Sequence, residues 1–114
     1  MNVPDEAKML VEEAKKAGFE VKAVQLSGNK LFIYRGLTRK EWEEITADQN
    51  IDPQKVLDAK AEMERKIVSV GLIYPKLDEA AAGKLLAGTV TQLSDLIMAA
   101  SGFDLGPPPE PVTL

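Results

Sequence analysis

The sequence predicts a mostly helical α+β domain, and three observations support that class. Two short apolar runs meet at a Gly-Asn pair and read as a β-hairpin. The stretches around them place apolar residues at helical spacing. Helix-start and helix-stop residues punctuate the ends of those stretches. The predicted order is α-β-β-α-α-α, three to four helices following one hairpin, in a single domain over 1–105 with a Pro-rich extended tail over 106–114.

The first helix is "PDEAKMLVEEAKKAGF". Pro4, Asp5 and Glu6 suit a first turn, and Lys15 and Lys16 suit the last turn at the negative end of the helix dipole. Gly18 stands where the chain must turn left-handed to stop. Ala7, Leu10, Val11, Ala14 and Ala17 form only a thin stripe, so this helix is expected to be the least firmly held. The hairpin "EVKAVQLSGNKLFIYRG" follows. A two-residue Gly28-Asn29 turn sets Leu26 opposite Leu31 and Val24 opposite Ile33 as one apolar face. Gln25 then faces Phe32, and Ala23 faces Tyr34. A lone hairpin is marginal in water, so it must pack on helices or join another sheet.

The next helix begins with a capping box in "LTRKEW". Thr38 is the cap, Glu41 lies three residues on, and Leu37 and Trp42 are placed as a hydrophobic staple. This helix is expected over Arg39–Asp48. The same start device recurs in "IDPQKV", where Ile51 precedes the cap Asp52, Pro53 takes the first helical position and Val56 is the staple partner. That opens a helix over Pro53–Val70 with a stripe of Val56, Ala59, Met63, Ile67 and Val70, ended by Gly71. "LIYPKLD" reads as a turn, with Pro75 holding Tyr74 away from helical geometry. Asp78 caps a short "EAAAG" segment. A last helix over Lys84–Ala100 carries Leu86, Val90, Leu93, Ile97 and Ala100, widened by Leu85, Leu96 and Met98. Gly102 stops it.

Composition narrows the chemistry. The 114 residues are 45% hydrophobic and 28% charged, with 18 acidic against 14 basic residues and a net charge of −4. An acidic balance argues against a nucleic-acid binder, which needs a basic face. There is no Cys and no His. Disulfides, thiolate nucleophiles and metal sites built on Cys or His are therefore excluded, and so is the commonest general base. No apolar run approaches the ~20 residues that cross a bilayer, and "MNVPDEAKML" lacks the basic-then-apolar pattern of a leader. A cytoplasmic protein with no membrane partner and no cofactor is the expectation.

No catalytic constellation stands out. "AAAGKLLAGT" contains Gly83-Lys84 but lacks the upstream Gly, the following Ser or Thr and a leading strand, so it is no phosphate loop. Ser94 and Ser101 have no His to activate them. Glu12-Glu13 and Glu41-Glu43-Glu44 offer carboxylates to a hydrolase, yet capping explains Glu41 and solvation the rest. A small carboxylate-dependent enzyme is the lowest of the readings, and a non-enzyme is expected. Tyr34, Arg35 and Trp42 admit two accounts. They cover the hairpin and staple the helix, or they belong to the residue types that dominate interface hot spots. The wide apolar arc of the last helix likewise reads as the core helix, or as a groove for dimerisation or for a client's amphipathic helix.

"LFIYRGLTRKEWEEI", "VSVGLIYPKLD" and "AGTVTQLSDLIMAASGF" together resemble the small tail assembly chaperones of phages, nearest to the baseplate-hub or tail assembly chaperones of contractile-tailed phages. The resemblance spans about Lys30 to Phe103. By position its signature falls on Tyr34, Arg35, Leu37, Thr38, Glu41, Pro75, Ser101, Gly102 and Phe103. It implies a non-enzymatic factor that holds an aggregation-prone tail protein, the tape-measure or the baseplate hub, in the host cytoplasm before assembly. The N-terminal helix and the Pro-rich tail depart from the pattern and leave open a structural subunit of the tail or baseplate within the virion. The expected partner-binding residues are Tyr34, Arg35, Trp42, Leu93, Ile97 and Phe103, with a homo-oligomer as a further expectation.

Overall fold

A computed structural model describes residues 3–26, 28–47, 56–103 and 113. The chain is α+β as expected, with elements α1 (Asp5–Lys16), β1 (Val21–Leu26), β2 (Lys30–Arg35), α2 (Arg39–Ala47), α3 (Val56–Gly71), β3 (Leu72–Tyr74), α4 (Glu79–Ala82) and α5 (Ala87–Ala100). The helix start expected at Asp52 and Pro53, and all of the Pro-rich tail but Thr113, lie outside the described residues. No helix among those described is long and apolar enough to cross a membrane.

Two expectations about the sheet are corrected. The hairpin register is shifted by one residue: Leu26 faces Lys30, Val24 faces Phe32, Ala23 faces Ile33 and Lys22 faces Tyr34. The connection spans the three positions 27–29 rather than the two-residue Gly28-Asn29 turn, and Gly28 and Asn29 both take positive φ, 76° and 74°. Because strand side chains alternate, that single step exchanges the faces. Phe32 and Tyr34 therefore join Val24 and Leu26 on the main-core side, where Leu31 and Ile33 were expected. The second correction concerns "LIY". It is a third strand, antiparallel to β2, with Ile33 opposite Tyr74 and Tyr34 opposite Leu72 across an irregularity in register. The sheet order β1-β2-β3 places β2 in the centre. Pro75, joined to Tyr74 by a cis peptide, ends β3.

The sheet has helices on both faces. Phe32, Tyr34 and Leu72 meet Ile67 and Val68 of α3, Ala82 of α4 and Val90, Leu93 and Ile97 of α5 in one cluster. Ala7 of α1 and Ile33 are also buried but lie outside that cluster. They form a small second core where α1 lies against the back of the sheet. The thin stripe of α1 is therefore enough to bury Ala7 completely, while Met9 remains 67% exposed.

The helix ends follow their residue chemistry. Thr38 Oγ1 accepts from the Glu41 amide at 3.2 Å, and Glu41 Oε1 accepts from the Thr38 amide at 2.9 Å, completing the predicted capping box. Asp78 caps α4 by accepting from the Ala81 amide at 2.7 Å. At the end of α5, Gly102 adopts φ 92°, the Gly102 amide reaches Ala99 O, and the Phe103 amide reaches Met98 O. This paired closure satisfies carbonyls that the helix leaves open. The helix α5 begins at Ala87, three residues later than expected, because Leu86 holds an extended conformation at its N-terminal boundary.

Close backbone approach fixes where α5 sits. A Cβ on Gly36 would run into the backbone carbonyl of Ala100 and come within 2.9 Å of Ser101 Cα. One on Gly71 would come within 2.6 Å of Ile97 Cγ2. Gly36→Ala should thus destabilise the fold by about 1–3 kcal/mol, since backbone cannot step aside as a side chain can. Leu93→Ala, in a site with no exposed surface, should cost about 2–5 kcal/mol. Urea unfolding of the two variants measures both; a neutral Gly36→Ala would show that the two backbones are not in contact.

Candidate functional site

The junction between β2 and α2 gathers several of the singled-out residues. Arg35, the last residue of β2, sends its guanidinium to Glu41 in a two-pronged ion pair, Nη1 to Oε1 at 2.8 Å and Nη2 to Oε2 at 2.9 Å. Nη1 also donates to Gly36 O at 3.0 Å. The same guanidinium lies 4.1 Å from the centre of the Phe19 ring, a cation–π contact with the segment between α1 and β1. Arg35 thereby ties three parts of the chain together. Glu41 serves two purposes at once, closing the cap of α2 and holding Arg35.

Both partners are largely withdrawn from water, with side chains 16% and 25% exposed. The hydrogen bonds from Arg35 hold the Glu41 carboxyl below its ordinary value of 4.5, against the opposing effect of burial and with help from the Thr38 amide. A neighbouring network joins this junction to α5. Ser101 Oγ accepts from the Leu37 amide at 2.7 Å and donates to Ile97 O at 2.6 Å.

Beside the junction lies an aromatic rim. Trp42 packs partly against the main core, and its ring stands 5.0 Å from that of Phe103 at an angle of 52°. Phe103 is 40% exposed. Its position follows from the α5 stop: the left-handed Gly102 turns the chain, and the amide bond of Phe103 to Met98 O fixes its backbone. The pair meets across a sequence distance that no local rule reveals.

Of the six expected partner-binding residues, the structure brings Trp42 and Phe103 into contact and places Arg35 at the same junction. Leu93 and Ile97 have no exposed surface, and Tyr34 is buried with its hydroxyl pKa raised by that burial. These three are core residues and are not on a surface that a partner can reach. The groove expected along α5 is corrected on the same ground: Val90, Leu93 and Ile97 are buried and Leu96 and Met98 pack on the core. The exposed large apolar residues among those described are Met9, Leu86 and Phe103. Sequence reasoning missed Phe19, whose aromatic ring two residues before a strand was its only signal. No group of acidic residues able to hold a metal ion occurs among the described residues.

The chain matches no protein-family model, and no characterised protein or solved structure is significantly similar to it.

Glu41→Gln keeps an acceptor for the Thr38 amide while removing the charge that Arg35 binds. It should cost about 1–2 kcal/mol near neutrality, between the values for exposed pairs and for hydrogen bonds to enclosed charges. A lowered folded-state pKa contributes stability that is complete above the unfolded value and lost as pH falls through the folded one. The gap between parent and variant should therefore close below pH 4.5. Urea midpoints across pH 2–7 test this (about five pH steps, given the typical carboxylate range); a gap that ignores pH would refute the ion-pair account.

Proposed function

We propose that this chain is a non-catalytic assembly chaperone of a phage tail or baseplate, acting in the host cytoplasm by covering an apolar segment of the tape-measure or hub protein. The resemblance over Lys30–Phe103 supplies the phage setting. The observation that carries the binding role is the Trp42–Phe103 rim, an aromatic pair left partly open to solvent beside a half-buried arginine ion pair. Trp, Tyr and Arg are the types that dominate binding energy at interfaces, and a fixed aromatic costs little entropy when it is covered. In this reading Trp42 and Phe103 grip apolar side chains of the client. Arg35 sets their geometry by holding the start of α2.

A second reading is a structural subunit of the tail or baseplate. The observation that favours it is the outer edge of β1, which pairs with no other strand among the described residues and so offers a neighbour a place to extend the sheet.

Co-expression with the tape-measure and hub proteins, followed by pull-down, separates the readings. The chaperone should keep one of them soluble and be retained with it, yet be missing from purified particles by mass spectrometry. A subunit should be found in the particle. Trp42→Ala and Phe103→Asp should reduce retention of the client by about tenfold, the scale of a hot-spot loss, with helical circular dichroism unchanged. Ile97→Asp should instead abolish the fold, since it places a charge in a site with no exposed surface. Full retention by both rim variants would end the proposed grip.

A further inference from the structure

We propose that α1 is a detachable lid over the back of the sheet, and that the apolar face beneath it is a seat for an amphipathic helix of a partner protein. The lid leaves as a unit while the rest of the chain stays folded. This uses neither Trp42 nor Phe103 and does not rest on the assembly role.

The first observation is how little holds α1. Its stripe of Ala7, Leu10, Val11 and Ala14 keeps helical spacing, yet only Ala7 is fully buried and the other three are half-buried. Among the described residues no hydrogen bond or ion pair joins α1 to the sheet. Lys8 reaches only Asp5 of the same helix, and the backbone bonds at the two helix ends stay within residues 4–19. Pro4 provides no side-chain cap. An alanine carries little apolar area, so the docking of α1 draws on a small share of the burial in the molecule.

The second is that the rest of the fold does not need it. The main cluster lies on the opposite face of the sheet and contains no residue of α1. Detaching the lid costs the small back core and leaves the larger one whole. A boundary for the motion is also present. Gly18, at φ 94°, ends the helix, and Phe19 beyond it is held under the Arg35 guanidinium, which Glu41 fixes in turn. Opening that begins at the N-terminus stops there. A helix of twelve residues is marginal when isolated, so α1 melts once it leaves the sheet.

The third is what fits the uncovered face. Beside α1 a cleft of about 410 Å³ remains, bordered by Val21, Ala23 and Ile33 of the sheet and by Lys8, Val11 and Lys15 of the helix. Lys8, Val11 and Lys15 stand at i, i+3 and i+7, one edge of the α1 stripe. A helix with apolar residues at all three positions would fill the space that the two lysines leave open, and would bury more area on the same face. The occupant is therefore an amphipathic helix with a broader stripe than that of α1. It keeps a small residue at the Ala7 position, where the helix meets the sheet with no exposed surface.

The test is hydrogen exchange of the full, ¹⁵N-labelled chain, followed by titration with a synthetic peptide of residues 4–19 carrying Lys8→Leu and Lys15→Leu. The amides of residues 9–16 should exchange together, about a hundredfold or more faster than those of Val68 and Leu93. Ala7→Asp in the full chain should remove their protection and leave that of Val68 and Leu93 in place. The peptide should bind the unaltered chain saturably, shift Val21, Ala23 and Ile33, and release α1. Adding Ala7→Asp to the peptide should weaken binding by about tenfold or more. Equal protection of α1 and α5, or loss of all protection in the Ala7→Asp chain, would make α1 part of one cooperative fold and overturn the lid. No saturable binding, or shifts confined to other elements, would overturn the seat.

Discussion

Everything in this fold turns on the four residues from Arg35 to Thr38, where the central strand gives way to a helix against the end of α5. Gly36 lets the two backbones touch, because no Cβ fits beside the Ala100 carbonyl. Leu37 then gives its amide to Ser101 Oγ, whose own proton goes to Ile97 O. These contacts fix the C-terminal end of α5 against the sheet, as the close approach of Ile97 to Gly71 fixes it against the end of α3. Its position in turn decides which of its residues are enclosed. Arg35 extends the same joint to the N-terminal side through Phe19 and to α2 through Glu41. A short loop thus sets the positions of four elements, and it does so with polar contacts whose geometry is narrower than that of apolar packing.

The joint also explains why a sheet of three short strands suffices. β2 is its centre and supplies Phe32 and Tyr34 to one side and Ile33 to the other. The larger core lies on the first side, where α3, α4 and α5 bring Val68, Ala82, Leu93 and Ile97. The second side is covered more thinly by α1, whose buried contribution is Ala7. Coverage that is thick on one face and thin on the other leaves the cleft beside β1. A helix with a broader apolar stripe would have filled it.

What the sequence made legible was local chemistry. The capping box at Thr38, the Asp78 cap and the Gly102 stop each depend on residues within one turn, so their patterns survive without knowledge of the rest. The hairpin was legible as a hairpin, but its register was not. Either two or three residues can form the turn, and the choice decides which face of β2 shares the core with Val24 and Leu26. That reversal is why Tyr34 reads as a surface aromatic in the sequence and lies in the core of the structure. The strand at "LIY" escaped because three residues carry no period of their own; pairing with β2 makes them a strand. Leu93 and Ile97 share that dependence, since a wide apolar arc on a helix cannot say how many neighbours will cover it. The meeting of Trp42 with Phe103 was hidden for the same reason, although each residue was singled out separately.

The aromatic rim is built from folding signals. Trp42 stands one position after the capping glutamate of α2, and Phe103 stands one position after the glycine that stops α5. Both places have a backbone already fixed by hydrogen bonds, so neither ring must be ordered when something covers it. For a partner of the kind proposed, the cost of association would fall by that amount, on the order of 0.5–1.5 kcal/mol for each side chain held in advance. A rim placed instead in the middle of a free loop would lose this advantage. One placed deeper in the core would lose its access. Ends of helices meet both demands, because their last turns are close to solvent while their caps are rigid. For a chain this small, with little surface to spare, joining the stop of one helix to the start of another is an economical way to present aromatic surface without loosening the fold.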